Sequence, residues 1–245
     1  MGRKNRASAE PSSYARSVQT NPVSGVIGEA WALYQRHWQH LIPIAAIVYI
    51  GLSVLTLLLT LLLTWLGLLV ALLLSVVGVF WVQGALTKAV DDIRDGTADM
   101  SVGESFRAVQ GKIGAIAGAS ILAGIAIGIG FVLLILPGLY LITIWSVIIP
   151  AIVLGGSRAM ESFGRSRELV RGHEWNVFVV VVLAFLIQAA FGIVLQAVLV
   201  FFDPALRNFL SNVIGGTVTA PFVALTWTLV YYRLSGPPLP PPPPR

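Results

Sequence analysis

The sequence predicts an all-α polytopic membrane protein: six transmembrane helices as three helical hairpins, each preceded by a cytoplasmic interfacial helix. Three observations predict it. Leu41 to Thr87 carries no charged side chain, and neither does Ile113 to Gly156. Leu41–Thr87 as a single helix, rising ~1.5 Å per residue, would run roughly 70 Å, more than twice the ~30 Å hydrocarbon core of a bilayer. Each stretch must therefore double back. Finally, charged residues make up only 11% of the chain, where ordinary globular domains carry about 25%.

Residues 1–22 are basic, Ser-rich and poor in apolar side chains, so they are expected to form a disordered tail. Arg6 stands where N-myristoylation would need Ser or Thr. The first apolar run is far longer than the 7–15 residues of a signal-peptide core, so the first helix is expected to stay as an uncleaved anchor. From Val23 to His40, apolar residues recur at three- and four-residue steps (Val23, Val26, Ile27, Ala30, Trp31, Tyr34, Trp38), the pattern of an amphipathic helix at a membrane surface. Spans one and two follow at about Leu41–Leu63 and Leu66–Thr87, joined by a turn at Thr64-Trp65-Leu66-Gly67, where Trp suits the headgroup level.

Residues 88–112 form a polar loop. Within it, Ser101 and Glu104 fit a capping box, which predicts a short helix from Val102 to about Gln110. Pro137-Gly138 is the expected turn between span three (about Ile113–Ile135) and span four (about Leu139–Gly156), with Pro150 kinking span four or ending it early. Residues 157–174 read as another interfacial helix, with Glu161–Arg165 as an attractive i,i+4 pair and Arg167–Arg171 as a repulsive one. Trp175 to about Phe201 is span five, Phe202-Asp203-Pro204 a break, and about Phe209–Tyr232 span six, with Pro221 inside it. The membrane domain is thus residues 23–233, and 234–245 is a proline-rich tail of polyproline II type.

With the N-terminus inside, every Lys and Arg except Arg207 falls on the inner side. This positive-inside bias predicts six crossings with both termini cytoplasmic. Each hairpin also has a similar lead-in: Gly28-Glu29-Ala30-Trp31, Gly103-Glu104-Ser105-Phe106 and Met160-Glu161-Ser162-Phe163. Three tandem repeats at 23–90, 101–156 and 157–233 would explain the match; so would the general preference of helix starts for Ser and Glu.

The segments Ile27-Gly-Glu-Ala-Trp-Ala-Leu-Tyr-Gln-Arg-His-Trp38 and Ala159-Met-Glu-Ser-Phe-Gly-Arg-Ser-Arg-Glu-Leu-Val-Arg-Gly-His-Glu-Trp175 resemble those of a bacterial group. It comprises the membrane domain attached to some glycerophosphodiester phosphodiesterases and related stand-alone multi-pass proteins of unknown function. The resemblance covers about residues 23–233 and implies a bacterial cytoplasmic-membrane protein. It carries over no catalytic residue, because in the attached enzymes the chemistry belongs to a separate soluble barrel, for which the residues after Tyr232 leave no room.

No Asp, Glu, Lys, Arg or His falls inside the expected spans. Pumps and intramembrane enzymes generally place such groups near the bilayer midplane, so the sequence argues against catalysis and predicts no cofactor. The absence of Cys removes thiolate metal sites and disulfides. His37, His40 and His173 are the only histidines; the first two could share a helix face but have no carboxylate or Cys nearby, so no metal site is expected. Gly128-Ile-Gly130 lacks the third glycine and the strand of a dinucleotide fingerprint. The strongest polar side chains within spans are Gln83, Gln188 and Gln196, expected to make interhelical hydrogen bonds or a substrate contact. Gly114, Gly118, Ser120, Gly124 and Gly128 line up as small residues for close helix packing. Arg158, Arg165, Arg167 and Arg171 are candidate contacts for anionic lipid headgroups. The functional expectation is a non-catalytic scaffold, lipid-associated or envelope-maintenance protein, with a facilitator for a small or lipidic solute as the alternative. Expected partners are membrane lipids and a second copy or another membrane protein, not nucleic acid.

Overall fold

The computed structural model describes residues 23–95 and 99–236, with only the backbone at Thr64. The predicted tail at 1–22 and the proline-rich residues from 237 onward lie outside the described residues. The described residues form eight α-helices: α1 (Val26–Asp95), α2 (Val102–Gln110), α3 (Ile113–Leu133), α4 (Ile135–Ile144), α5 (Ile148–Val153), α6 (Ala159–Val170), α7 (Glu174–Val198), continued by the 3-10 turn Leu199–Phe201, and α8 (Pro204–Ser235). No strand occurs among the described residues. Six segments are long and apolar enough to cross a membrane: Val26–Leu63, Trp65–Asp95, Ile113–Leu133, Ile135–Val153, Glu174–Phe201 and Pro204–Ser235. Large apolar side chains stand outward along these segments, Val132 at 87% and Phe201 at 93% exposure. Water would not tolerate so much contiguous apolar surface, whereas lipid does. The chain is a multi-pass membrane protein.

Two expectations about the first half change. A separate surface helix at Val23–His40 does not form, because α1 runs from Val26 without interruption and passes through Pro43. Nor is there a non-helical turn at Thr64–Gly67. Yet α1 is not a straight rod. Gly67 lies against the Leu59 backbone carbonyl, eight residues back, and a Cβ on Gly78 would sit 2.7 Å from the Leu52 side chain. On a straight helix Leu52 and Gly78 would be ~39 Å apart at ~1.5 Å per residue. The chain bends back between Leu59 and Gly67 with almost no loss of helical backbone, which suits a medium where no water can satisfy free N–H and C=O groups.

α2 has the boundaries its capping box predicts. The Ser101 hydroxyl and backbone N–H both donate to Glu104 Oε2, at 2.6 and 2.8 Å, and the Glu104 N–H donates back to the hydroxyl. The Ser101 hydroxyl, then its N–H, holds the Glu104 carboxyl below the ordinary glutamate range. A lowered folded pKa contributes stability above the unfolded value that is lost as pH falls through the folded one. Ser101→Ala should therefore move the Glu104 titration upward, toward the ordinary value, in a carboxyl 13C NMR experiment.

The reversal expected at Pro137-Gly138 comes three residues earlier. Leu134 is the extended residue (φ −162°, ψ 147°), and Pro137 sits in the first turn of α4, where a missing N–H costs nothing. Gly138 instead accepts the Phe131 ring, and Gly130 meets the Gly138 backbone. Pro150 acts as expected, one turn upstream of itself. Its ring excludes the carbonyl four residues before it, and the helix opens at Trp145–Val147, between α4 and α5. The Ile144 carbonyl at the end of α4 accepts the Ser166 hydroxyl at 2.8 Å. Pro221 leaves α8 unbroken, and α8 begins at Pro204, five residues before the expected Phe209.

α6 buries Ser162, Ser166 and Val170 and exposes its charged face. Glu161 does not pair with Arg165: it accepts the Arg158 N–H at 3.1 Å, and Arg165 approaches Glu168 at 3.9 Å. The main core joins α1, α3, α5, α7 and α8 through Leu41, Ile44, Leu86, Ile116, Ile152, Val177 and Leu225. At the charged end, Arg233 of α8 binds Glu29 and the Ser24 carbonyl, Tyr232 donates to Asp91, and Arg94 lies 3.8 Å over the Tyr232 ring. These contacts clamp both ends of α1 to the end of α8. Lys112 donates to the Val153 carbonyl at 2.6 Å, and burial, then nearby Lys88, pushes its pKa down.

Candidate functional site

The three lead-ins share two features. Ala30, Ser105 and Ser162 are all fully buried, and the aromatic after each meets another aromatic edge-on. Phe106 meets Trp81 at 5.1 Å, Phe163 meets Trp145 at 4.9 Å, and Trp31 meets Phe222 at 6.4 Å. A small residue lets each lead-in approach closely, and the T-shaped ring pair holds its angle. Two of these lead-ins lock onto the span that precedes them in sequence, while the first locks onto the last. The first pair thus ties the start of α1 to α8.

Between α1, α3, α4, α5, α7 and α8 lies a partly open cavity of about 300 Å³, within the range of small-molecule sites. Tyr49, Phe80, Ala119, Ala123, Ile127, Ile142 and Val223 supply apolar wall. Gln83, Thr87, Ser120, Ser146, Gln188 and Thr219 supply polar atoms, with Trp145 and Trp227 beside them. Among the described residues, no acidic, basic or histidine side chain lines it. The helix opening above Pro150 is what brings Trp145 and Ser146 to the wall, since both lie in the non-helical step between α4 and α5.

Most polar groups are already donating. Gln83 Nε2 donates to the Ala220 carbonyl at 3.3 Å and Gln188 Nε2 to the Ala184 carbonyl at 3.4 Å. Ser120, Thr87 and Thr219 donate to the carbonyls of Ile116, Gln83 and Gly215. Hydroxyls bonded backward along their own helix keep lone pairs free to accept. Ser146 Oγ is buried without a partner. The cavity is thus an apolar wall carrying a few neutral polar groups, and the Ser146 hydroxyl is buried rather than open to it. An ion would lose its hydration there without gaining a counter-charge. An uncharged molecule that donates hydrogen bonds fits.

The candidate residues divide. Gln83, Gln188 and Ser120 reach the cavity. Gln196 faces outward and is exposed. The expected glycine stripe does not make the close packing: Gly114, Gly124 and Gly128 have nothing within 4 Å of a built Cβ, and Gly118 meets only Ala159 at an ordinary 3.7 Å. The close approaches run through Gly67, Gly78, Gly130, Gly138 and Gly216. Arg158, Arg165, Arg167 and Arg171 are all exposed on or beside α6. His37 Nδ1 lies 3.2 Å from the Leu33 carbonyl, and no three His, Cys, Asp or Glu side chains gather as a metal site among the described residues. Sequence reading missed Ser146, Thr219, Tyr49 and Trp227 as wall residues. Pro150 was the one signal pointing to Ser146, four residues before it.

No protein-family model, curated protein or solved structure matches the chain.

Proposed function

We propose that this is a non-catalytic protein of the bacterial cytoplasmic membrane that binds one uncharged, hydroxyl-bearing solute or lipid inside its bundle and eases its passage across the bilayer. The observation that carries the reading is a cavity of about 300 Å³ whose described lining holds no ionisable side chain and includes Gln83, Ser120, Ser146 and Gln188. A scaffold would have no need of such a space, because filling it with Leu or Phe would pack the helices better. Three hairpins, built as tandem repeats closed into a ring, form the frame. The approach of Leu52 to Gly78, of Phe131 to Gly138 and of Leu195 to Gly215 supports the hairpins, and the shared burial of Ala30, Ser105 and Ser162 supports the repeats. Both termini lie on the cytoplasmic side with the basic residues. The membrane domain of the phosphodiesterase group that the lead-ins resemble is the family we assign it to.

Native mass spectrometry on the full chain, released from an uncharged detergent, tests the reading. The protein should retain one uncharged adduct per chain, and Ser120→Leu, which fills the cavity, should lose it. Equal retention by both proteins, or no uncharged adduct on either, would contradict it. A lipid-associated role has its own support in the four exposed arginines at 158, 165, 167 and 171. Under that reading an anionic lipid adduct would disappear when Arg165, Arg167 and Arg171 are changed to Gln.

A further inference from the structure

A second hollow, of about 390 Å³ and open to the surroundings at Thr60, Asn208 and Asn212, adjoins the first. Its polar wall comes from Ser53, Thr56 and Thr60 on the first span, Ser75 on the second, and Asn208 and Asn212 on α8. Ser53, Thr56 and Thr60 recur at three- and four-residue steps, so one face of the first span carries the row. Thr60 donates to the Thr56 carbonyl at 2.7 Å and Asn212 to the Asn208 carbonyl at 2.9 Å. This chamber too offers acceptors, and no charged side chain among the described residues lines it. Tyr49 and Val79 belong to the walls of both chambers. Tyr49 is the bulkier, and its ring lies against Gly216 of α8, where any Cβ would collide with it.

We propose that Tyr49 is the gate between the two chambers, which together form one path for an uncharged hydroxyl-bearing molecule from the bundle centre to the Asp203 end of α8. The proposal rests on the cavity reading above and adds a route and a closing residue to it. Gly216 has a direct purpose here. Without a side chain at that point the Tyr49 ring reaches across from the first span to the backbone of α8. The ladder of hydroxyls and amides on the far side continues the chemistry of the near side, so a molecule accepted in one chamber meets the same kind of partners in the other. A dead-end pocket would not need a matching antechamber.

The absence of cysteine from the chain makes thiol labelling a clean test. Single cysteines are placed in the full-length protein in lipid nanodiscs: Ser53→Cys in the outer chamber, Ser120→Cys in the central one and Ser105→Cys as a buried reference. Each is exposed to N-ethylmaleimide, which is uncharged, and to a sulfonate-bearing methanethiosulfonate. Ser53→Cys should react with N-ethylmaleimide whether or not Tyr49 is changed. Ser120→Cys should react slowly beside Tyr49 or Tyr49→Phe, and at least tenfold faster beside Tyr49→Ala. Ser105→Cys should stay unreactive throughout, which establishes that the fold is intact. If Tyr49→Ala exposes Ser105→Cys, Tyr49→Leu takes its place, with an expected threefold rise. An unchanged Ser120→Cys rate in the intact variant overturns the gate and leaves the central cavity standing. Rapid labelling of Ser120→Cys by the sulfonate reagent beside native Tyr49 overturns both, because an anion would then have entered.

Discussion

Gly67→Ala should destabilise the protein while Gly124→Ala should not. The two positions are both helical glycines in apolar segments, and their surroundings give them opposite signs. At Gly67 a Cβ would collide with the Leu59 carbonyl oxygen, a backbone atom that cannot rotate away. Either the first two spans separate or their closed end unwinds. Overpacking of this kind costs roughly 1–3 kcal/mol, and a rigid obstacle puts the substitution at the upper end. At Gly124 a Cβ meets nothing within 4 Å, so alanine gains the intrinsic helix advantage over glycine of about 1 kcal/mol. Thermal unfolding in detergent, followed by helical circular dichroism, should give a lower midpoint for Gly67→Ala and an equal or higher one for Gly124→Ala. Equal midpoints for the two variants would mean that the chain does not bend back tightly at Gly67.

Gln188→Glu is the second substitution with a large expected effect. Gln188 lines a chamber without a cationic side chain, so the carboxylate would be desolvated and unpaired. An ionised group at the centre of a transmembrane helix costs about 2.5–3.5 kcal/mol. Protonation would remove that charge and its cost. The folded protein then binds a proton more readily than the unfolded chain, so stability rises as pH falls. The variant should be much less stable than the parent at pH 7 and approach it in mild acid. Gln196→Glu, on the exposed face of the same helix, should lack that cavity-dependent recovery if headgroups and water reach its carboxylate. A Gln188→Glu protein as stable as its parent at pH 7 would mean that the chamber is open to bulk water or to a counter-charge.

How much of this could be read from the sequence depends on which physical signal each feature leaves there. The six apolar segments were legible because hydrocarbon thickness sets a minimum length and excludes charge, and both can be counted. Helix α2 was legible because Ser101 and Glu104 have fixed capping roles. The break before Pro150 was legible in kind, though its position follows from the carbonyl four residues upstream. The reversal assigned to Pro137-Gly138 fell instead at Leu134, since proline is comfortable in a first helical turn and so marks a helix start as readily as a stop. The cavity was much less legible. Where nearly every residue is apolar, the sequence holds no polar face to fix which way a helix is turned. Gln188 and Gln196 are eight residues apart, about 80° around a helix of 3.6 residues per turn, and only the fold tells which one looks inward. The glycines of α3 show the same: Gly114, Gly124 and Gly128 have the right spacing for close packing, yet within the chain a Cβ on any of them would meet nothing.

The proline at 150, the ring pairs of the lead-ins and the missing ionisable groups all converge on one feature, an uncharged space at the bundle centre. Its most direct test is an experimental density map of the full chain in lipid nanodiscs, at a resolution that shows side chains and bound molecules. The account predicts one discrete, non-protein density between Gln83, Ser146 and Gln188, with the Tyr49 ring closing its far end against Gly216. Side chains of Trp145, Trp227 and Ile149 collapsed together across that space, or a charged group of the protein turned into it, would contradict the account.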